Sequence, residues 1–130
     1  MRLLLDTHAF LWFVLGDSRL NEPARQRIES LENERLLSIA SVWEIAIKVS
    51  LGRLEITSPL PDLVARHVEG NAIQLLPVQV SHLDLVSRLP FVHRDPFDRL
   101  IAAQSLAEGI PLLSRDSVFD DYGVSRLWGA

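Results

Sequence analysis

Apolar and polar positions along the chain switch repeatedly between two rhythms, a short unbroken apolar run and a helical repeat. Arg2 to Leu5 is an apolar strand ending at Asp6, and Thr7 to Gly16 continues with helix formers and a glycine stop. Asn21 is placed to cap a helix that carries Glu22 and Pro23 in its first turn and Ala24, Ile28 and Leu31 at helical spacing. Leu36 to Ala40 reads as a short buried strand, and Ser41 to Gly52 as a helix with apolar Val42, Ile45, Ala46 and Val49. After Pro59, a helix is predicted over Leu60 to Gly70 and a strand over Ile73 to Val78. Ser81 to Leu89 is a short helix stopped by Pro90, and Phe97 to Gly109 follows Asp95 and Pro96 as the longest well-patterned helix. Pro111 to Ser114 is a last core strand, and Val124 to Trp128 is a candidate edge strand. This alternation predicts an α/β fold of three layers, α/β/α, with a central, mostly parallel sheet of four to five strands covered on both faces.

With 130 residues, 48% of them apolar and 23% charged, the chain is expected to form a single domain over residues 1–130 with one real core. The formal charge of −4 argues against a basic surface that grips phosphate all over, so any nucleic-acid contact must be local. The absence of cysteine removes disulfides, thiolate metal sites and thiol nucleophiles. Asp6 and His8 interrupt the apolar N-terminus, no small-residue cleavage site follows, and the longest apolar run, Ala9 to Leu15, falls far short of the roughly 20 residues of a spanning helix. These features predict a cytoplasmic protein with no membrane segment.

In an open parallel sheet, functional groups gather just past the carboxyl ends of the strands. Asp6 ends the first strand, Glu44 lies in the first turn of the helix after the second, Asp98 opens the long helix and Asp116 follows the last core strand. Each has a local structural reading. Ser41-Val42-Trp43-Glu44 has the form of a capping box, Asp95 fits a helix cap with Asp98 favoured by the helix dipole, Asp6 fits a cap, and Asp116 fits a turn with Ser117. Four carboxylates on one edge nevertheless repel each other unless cations or hydrogen bonds offset them. A hard divalent cation such as Mg²⁺ or Mn²⁺, which prefers oxygen ligands and phosphate, answers that repulsion. Setting these four acids aside leaves the rest of the chain formally neutral.

The cations are twelve arginines and one lysine. Arg94, Arg99 and Arg115 stand next to site segments and are candidate phosphate contacts, with solvated ion pairs as the plain alternative. Lys48, four residues after Glu44, suits either an ion pair with Glu44 or a phosphate. His8, His67, His82 and His93 show no zinc spacing, and His8 and His93, though near site segments, are read as packing or surface residues rather than ligands. No nucleophile elbow, phosphate-cradling glycine loop or dinucleotide fingerprint is present.

Four segments in order, LLLDTHAFLW at Leu3 to Trp12, SVWEIAIK at Ser41 to Lys48 with LGRL following, HRDPFDRLIAAQ at His93 to Gln104 and LLSRDSVFDDYGV at Leu112 to Val124, resemble the motifs of the PIN-domain ribonucleases, and within them the VapC-type toxins of toxin–antitoxin pairs. The resemblance runs nearly end to end. It implies that Asp6, Glu44, Asp98 and Asp116 are an acidic quartet holding Mg²⁺ or Mn²⁺ and catalysing RNA phosphodiester hydrolysis to 5′-phosphate and 3′-hydroxyl ends. Thr7 and Ser114 match positions where the family often has a small hydroxyl residue, with Ser114 standing where threonine is frequent, and Asp95 is a further secondary candidate that fits capping before catalysis. The implied partners are RNA and a cognate antitoxin that blocks the acidic site, with DNA reached only indirectly through the antitoxin.

The first helix is apolar nearly all round from Phe10 to Leu15, a surplus open to core packing, a homodimer or a partner groove. Other phosphoryl-transfer folds fit less well. A phosphorylated receiver would want a lysine late in the chain, where none stands, and an aspartyl phosphatase a second aspartate at the position of His8. An RNA-processing nuclease without an antitoxin, and a non-catalytic binding module of the same fold, remain the alternatives.

Overall fold

The computed structural model describes residues 1–129, so the last residue of the expected 1–130 domain, Ala130, lies outside them. Strands β1 (Arg2–Leu5), β2 (Glu34–Ser38), β3 (Gln74–Leu76), β4 (Leu112–Leu113) and β5 (Arg126–Leu127) form one sheet in the order β3-β2-β1-β4-β5. Every pairing is parallel, so the expected mostly parallel sheet is wholly so and has five strands. The tail strand β5 joins the edge beside β4, with Leu112 opposite Arg126.

A strand's side chains alternate between faces, and β1 shows why its apolar run is unbroken. Leu3 and Leu5 join one core with Phe10, Ile28, Leu37 and Ile45, while Leu4 joins the other with Ile101, Leu112 and Phe119. The first core is roofed by α1 (Thr7–Leu15), α2 (Glu22–Glu29), α3 (Ile39–Ser50) and the helical stretch that starts as α4 (Leu60–Leu63) and runs on through Val64–Val68 and Glu69–Asn71. The second is covered by α6 (Pro96–Glu108) and a 3-10 segment, Ser117–Tyr122, with α5 (Val80–Arg88) packed on α6. These are the three expected layers.

Most helix ends follow local chemistry. Asn21 Oδ1 accepts from the Ala24 amide, Asp95 Oδ1 accepts from the Phe97 and Asp98 amides, and Gly16 and Gly109 close α1 and α6 with φ of 65° and 64°, where a side chain would be strained. The start of α3 differs from expectation. Its cap is Ser38, whose hydroxyl accepts from the Ala40 amide, so the helix begins at Ile39 and the Ser41–Glu44 capping box does not form. Glu44 consequently sits in the second turn, and Ser41 instead receives a 2.7 Å hydrogen bond from Thr7 that ties α1 to α3. Leu31, expected on α2, lies beyond its end and is exposed. Part of the apolar surplus of α1 is taken up by packing: Phe10 and Leu11 are buried, Trp12, Phe13 and Val14 are half-buried against the core, and Leu15 is exposed. Among the described residues no helix is long and apolar enough to cross a membrane.

Candidate active site

The strand order reverses direction at β1, whose chain continues to β2 on one side while β4 pairs on the other. The crevice past the carboxyl ends of β1 and β4 is therefore where this topology places a site. Asp6 follows β1 and Ser114 follows β4, and across 108 residues of sequence the Ser114 hydroxyl donates to Asp6 Oδ2 at 2.8 Å. The same hydroxyl accepts from the Asp116 amide at 3.1 Å, so one buried serine fixes both an acid's side chain and another's backbone. Asp116 in turn caps the 3-10 segment through the Val118 amide.

α3 and α6 bring the other two acids to this edge. Glu44 is buried, with Oε2 3.4 Å from Lys48 Nζ and Oε1 buried without a hydrogen-bond partner. Asp98 occupies the first turn of α6, its backbone amide held by the Asp95 cap. The Asp98 carboxyl is pushed up to about 8 by burial first, and then by the negative charges of Asp95, Asp6, Glu44 and Asp116. Burial also raises Asp6, reinforced by Glu44 and opposed by the Ser114 hydrogen bond and by His8. Asp6, Glu44 and Asp116 thus all lie near enough to Asp98 for their charges to bear on it.

His8 and His93, read from sequence as packing or surface residues, both stand at the site. His93 Nδ1 accepts from the Asp95 amide at 3.1 Å, which leaves the ring proton on Nε2, 3.2 Å from Asp98 Oδ2. The His93 amide is anchored on the Tyr122 hydroxyl at 2.9 Å. One ligand atom each of His93, Asp98 and Asp116 lie within 4.8 Å of one another, but Nε2 is committed to Asp98, so His93 orients the carboxylate rather than joining it as a ligand. The available sign in the sequence is His93-Arg94-Asp95-Pro96, because a helix cap two residues after a histidine folds it back over the first turn.

The predicted phosphate contacts separate. Arg94 and Arg115 are exposed and free of ion pairs among the described residues, and Lys48 reaches both Glu44 and, at 3.5 Å, His8 Nε2. Arg99 is instead buried, its guanidinium donating to the carbonyls of Pro90 and Val86 at 3.0 Å and of Leu89 at 3.4 Å. Its role is to hold the α5–α6 connection. Thr7 is spent on Ser41, whereas Ser114 is in direct contact with the acids.

An Asp98 carboxyl raised by burial and by neighbouring negative charge, and a buried Glu44 oxygen without a donor, are what an acid cluster shows when its natural counter-charge is a hard cation. The donor set fits Mg²⁺ or Mn²⁺: it offers carboxylate oxygens and no sulfur, and it opens to solvent at Asp116.

The family model described as PIN domain matches residues 3–124. Among solved structures, the chain is similar to FitAcB from Neisseria gonorrhoeae, with a TM-score of 0.69, 19% identity and 96% of each chain covered. It is also similar to FitAB bound to an IR36 DNA fragment, with a TM-score of 0.68 and 21% identity over 96% of this chain and 93% of that one. A third likeness is to VapBC2 from Rickettsia felis bound to a DNA fragment from their promoter, with a TM-score of 0.72 and 14% identity over 99% and 100% of the two chains. At these identities the likeness is one of fold. No curated protein matches the sequence.

Proposed function

The chain belongs to the PIN domain family, whose members are generally nucleases, and on that premise we propose that it is a divalent-metal-dependent endoribonuclease, the toxin of a toxin–antitoxin pair. What supports the nuclease reading is the set of acids past the carboxyl ends of β1 and β4: Asp6 and Asp116 are braced by one serine, and Asp98 is pushed up to about 8 by burial first and then by the charges of Asp95, Asp6, Glu44 and Asp116. The toxin reading draws on the similarity to FitAB and VapBC2 structures, two of them bound to DNA, and the proposed partner is accordingly an antitoxin that carries the DNA contact.

Asp6, Glu44, Asp98 and Asp116 would hold Mg²⁺ or Mn²⁺, which when bound supplies Lewis-acid activation of water and charge neutralisation at the scissile phosphate. The chain's own residues prepare that chemistry. Ser114 fixes the rotamer of Asp6, the Asp95 cap and the His93 Nε2 proton fix Asp98, and Lys48 balances part of the Glu44 charge. Preset carboxylates need no reorganisation when phosphate arrives.

Cleavage of a mixed RNA pool by the purified protein is the test. We expect cutting in Mg²⁺ or Mn²⁺ and none in EDTA; cutting that persists in EDTA would overturn the metal-dependent reading. His93→Ala is expected to keep the fold and to weaken Mn²⁺ binding by about tenfold, the usual effect of losing a partner that orients a ligand, as read by calorimetry. Unchanged Mn²⁺ affinity would remove His93 from the site.

A further inference from the structure

Beside the acids lies an open cavity of about 510 Å³ whose lining is not acidic alone. Asp6 and Asp116 line it together with His8, Trp12, Arg19 and Arg115. The Trp12 ring is held in place. Trp128 meets it edge-on at 6.0 Å, and the Arg19 guanidinium lies 4.9 Å from its centroid while paired through two nitrogens with Asp17. Arg115 lies over the same ring at 5.7 Å but makes no ion pair or hydrogen bond among the described residues. It stands in sequence between Ser114 and Asp116, the residues that brace the acids.

An oriented aromatic face and an uncommitted guanidinium, both within one cavity that opens on the acids, match the two halves of a nucleotide. We infer that this cavity is a nucleotide subsite adjoining the scissile phosphate, with Trp12 stacking a base of single-stranded RNA and Arg115 taking the neighbouring phosphate. The inference rests on the ribonuclease reading above and adds to it where the strand lies. Arg115 is the group a stacking base displaces, because Arg19 is tethered by Asp17 and Arg115 is not. The displaced guanidinium then has a phosphate to bind, which supplies positive charge where two aspartates would otherwise repel the backbone. A guanidinium without an ion-pair partner among the described residues, next to an aromatic ring in the same cavity, favours a nucleotide over a segment of a protein partner.

The test uses a fluorescein-labelled pool of random 12-nucleotide RNA, with binding followed by anisotropy in Ca²⁺ and cut ends sequenced in Mg²⁺ or Mn²⁺. Trp12→Leu is expected to weaken binding about tenfold and to flatten base preference at one position beside the cut, while Trp12→Phe, which keeps a stacking face, retains both. Arg115→Gln, a change at an exposed side chain that makes no hydrogen bond or ion pair among the described residues, is expected to weaken binding and to lower the slope of log affinity against log salt by about 0.7. Wild-type affinity and wild-type cut profiles in both Trp12→Leu and Arg115→Gln would overturn the subsite while leaving the nuclease reading intact. A wild-type protein that neither binds nor cuts RNA would overturn both. Loss of binding to a co-purified protein partner without any change toward RNA would assign the cavity to that partner and likewise overturn the proposal.

Discussion

Asp98→Asn is expected to abolish RNA cleavage and, in EDTA at pH 8, to raise the melting temperature by about 5–10 °C, on the order of 2 kcal/mol. The stability half follows from the raised Asp98 carboxyl, heavily discounted because the group is only partly buried. The Asp98 carboxyl is held at about 8 against an ordinary 3.8. An acid with a raised folded-state value binds a proton on folding that the unfolded chain has released, so it opposes folding increasingly as pH rises from about 4, and fully above about 8. Asparagine carries no charge to oppose, and its side-chain oxygen can still accept from His93 Nε2. The gain should therefore shrink towards zero below about pH 4, as the unfolded-state aspartate becomes protonated too. Cleavage should fall by about a thousandfold or more, on the order of 4 kcal/mol of barrier, because the charge that destabilises the empty crevice is the charge a cation needs. Adding Mn²⁺ should close the stability gap by stabilising the wild-type protein alone. Differential scanning in EDTA and in Mn²⁺ measures both effects, and an Asp98→Asn protein no more stable than wild type at pH 8 in EDTA would refute the account of Asp98 as a buried carboxyl among like charges. Asp6→Asn should lose cleavage likewise, since its carboxyl is also raised by burial and by Glu44.

That trade between stability and function could be read from the sequence only as far as topology allows. Asp6 and Ser114 are legible as neighbours because each ends a strand of a parallel sheet, even though 108 residues separate them. The Asp95 cap is legible because its partners, the amides of Phe97 and Asp98, are two and three residues away. Glu44 illustrates where local reasoning picks the wrong partner. Ser41 and Ser38 are both competent caps, and the sheet decides between them, since Ser38 is the last residue paired with β3 and the chain must turn there. The buried Arg35 is opaque for a similar reason: its carbonyl partners on Ile28, Asn33 and Asn71 come together only when β2 lies between two helical segments. His93 is hidden in the same way, as its role depends on a loop that returns onto the helix it precedes.

Arg99 is the sharpest of these cases, and its substitution carries the second large effect. A guanidinium next to an acidic site is expected from sequence to meet phosphate, but this one is buried, lies 4.8 Å from the Phe91 ring centre and donates to three carbonyls at the end of α5 and just past it. Hydrogen bonds from a charged donor are each worth about 1.5–3 kcal/mol net, and the carbonyls left behind are partly buried. Arg99→Met keeps the apolar stem and removes every donor, so it should destabilise the fold by about 2–4 kcal/mol, a fall of about 10 °C in melting temperature. Lysine should not rescue it, because one ammonium cannot reproduce a planar fork aimed at several acceptors. The segment released, from Leu89 to Asp95, carries His93 and the α6 cap, so Mn²⁺ affinity should fall with stability even though Arg99 touches no acid in the crevice. A phosphate-binding arginine would behave in the opposite way. Its removal would leave the melting temperature in place and lower the salt slope of RNA binding by about 0.7, and that pair of results would return Arg99 to the substrate surface.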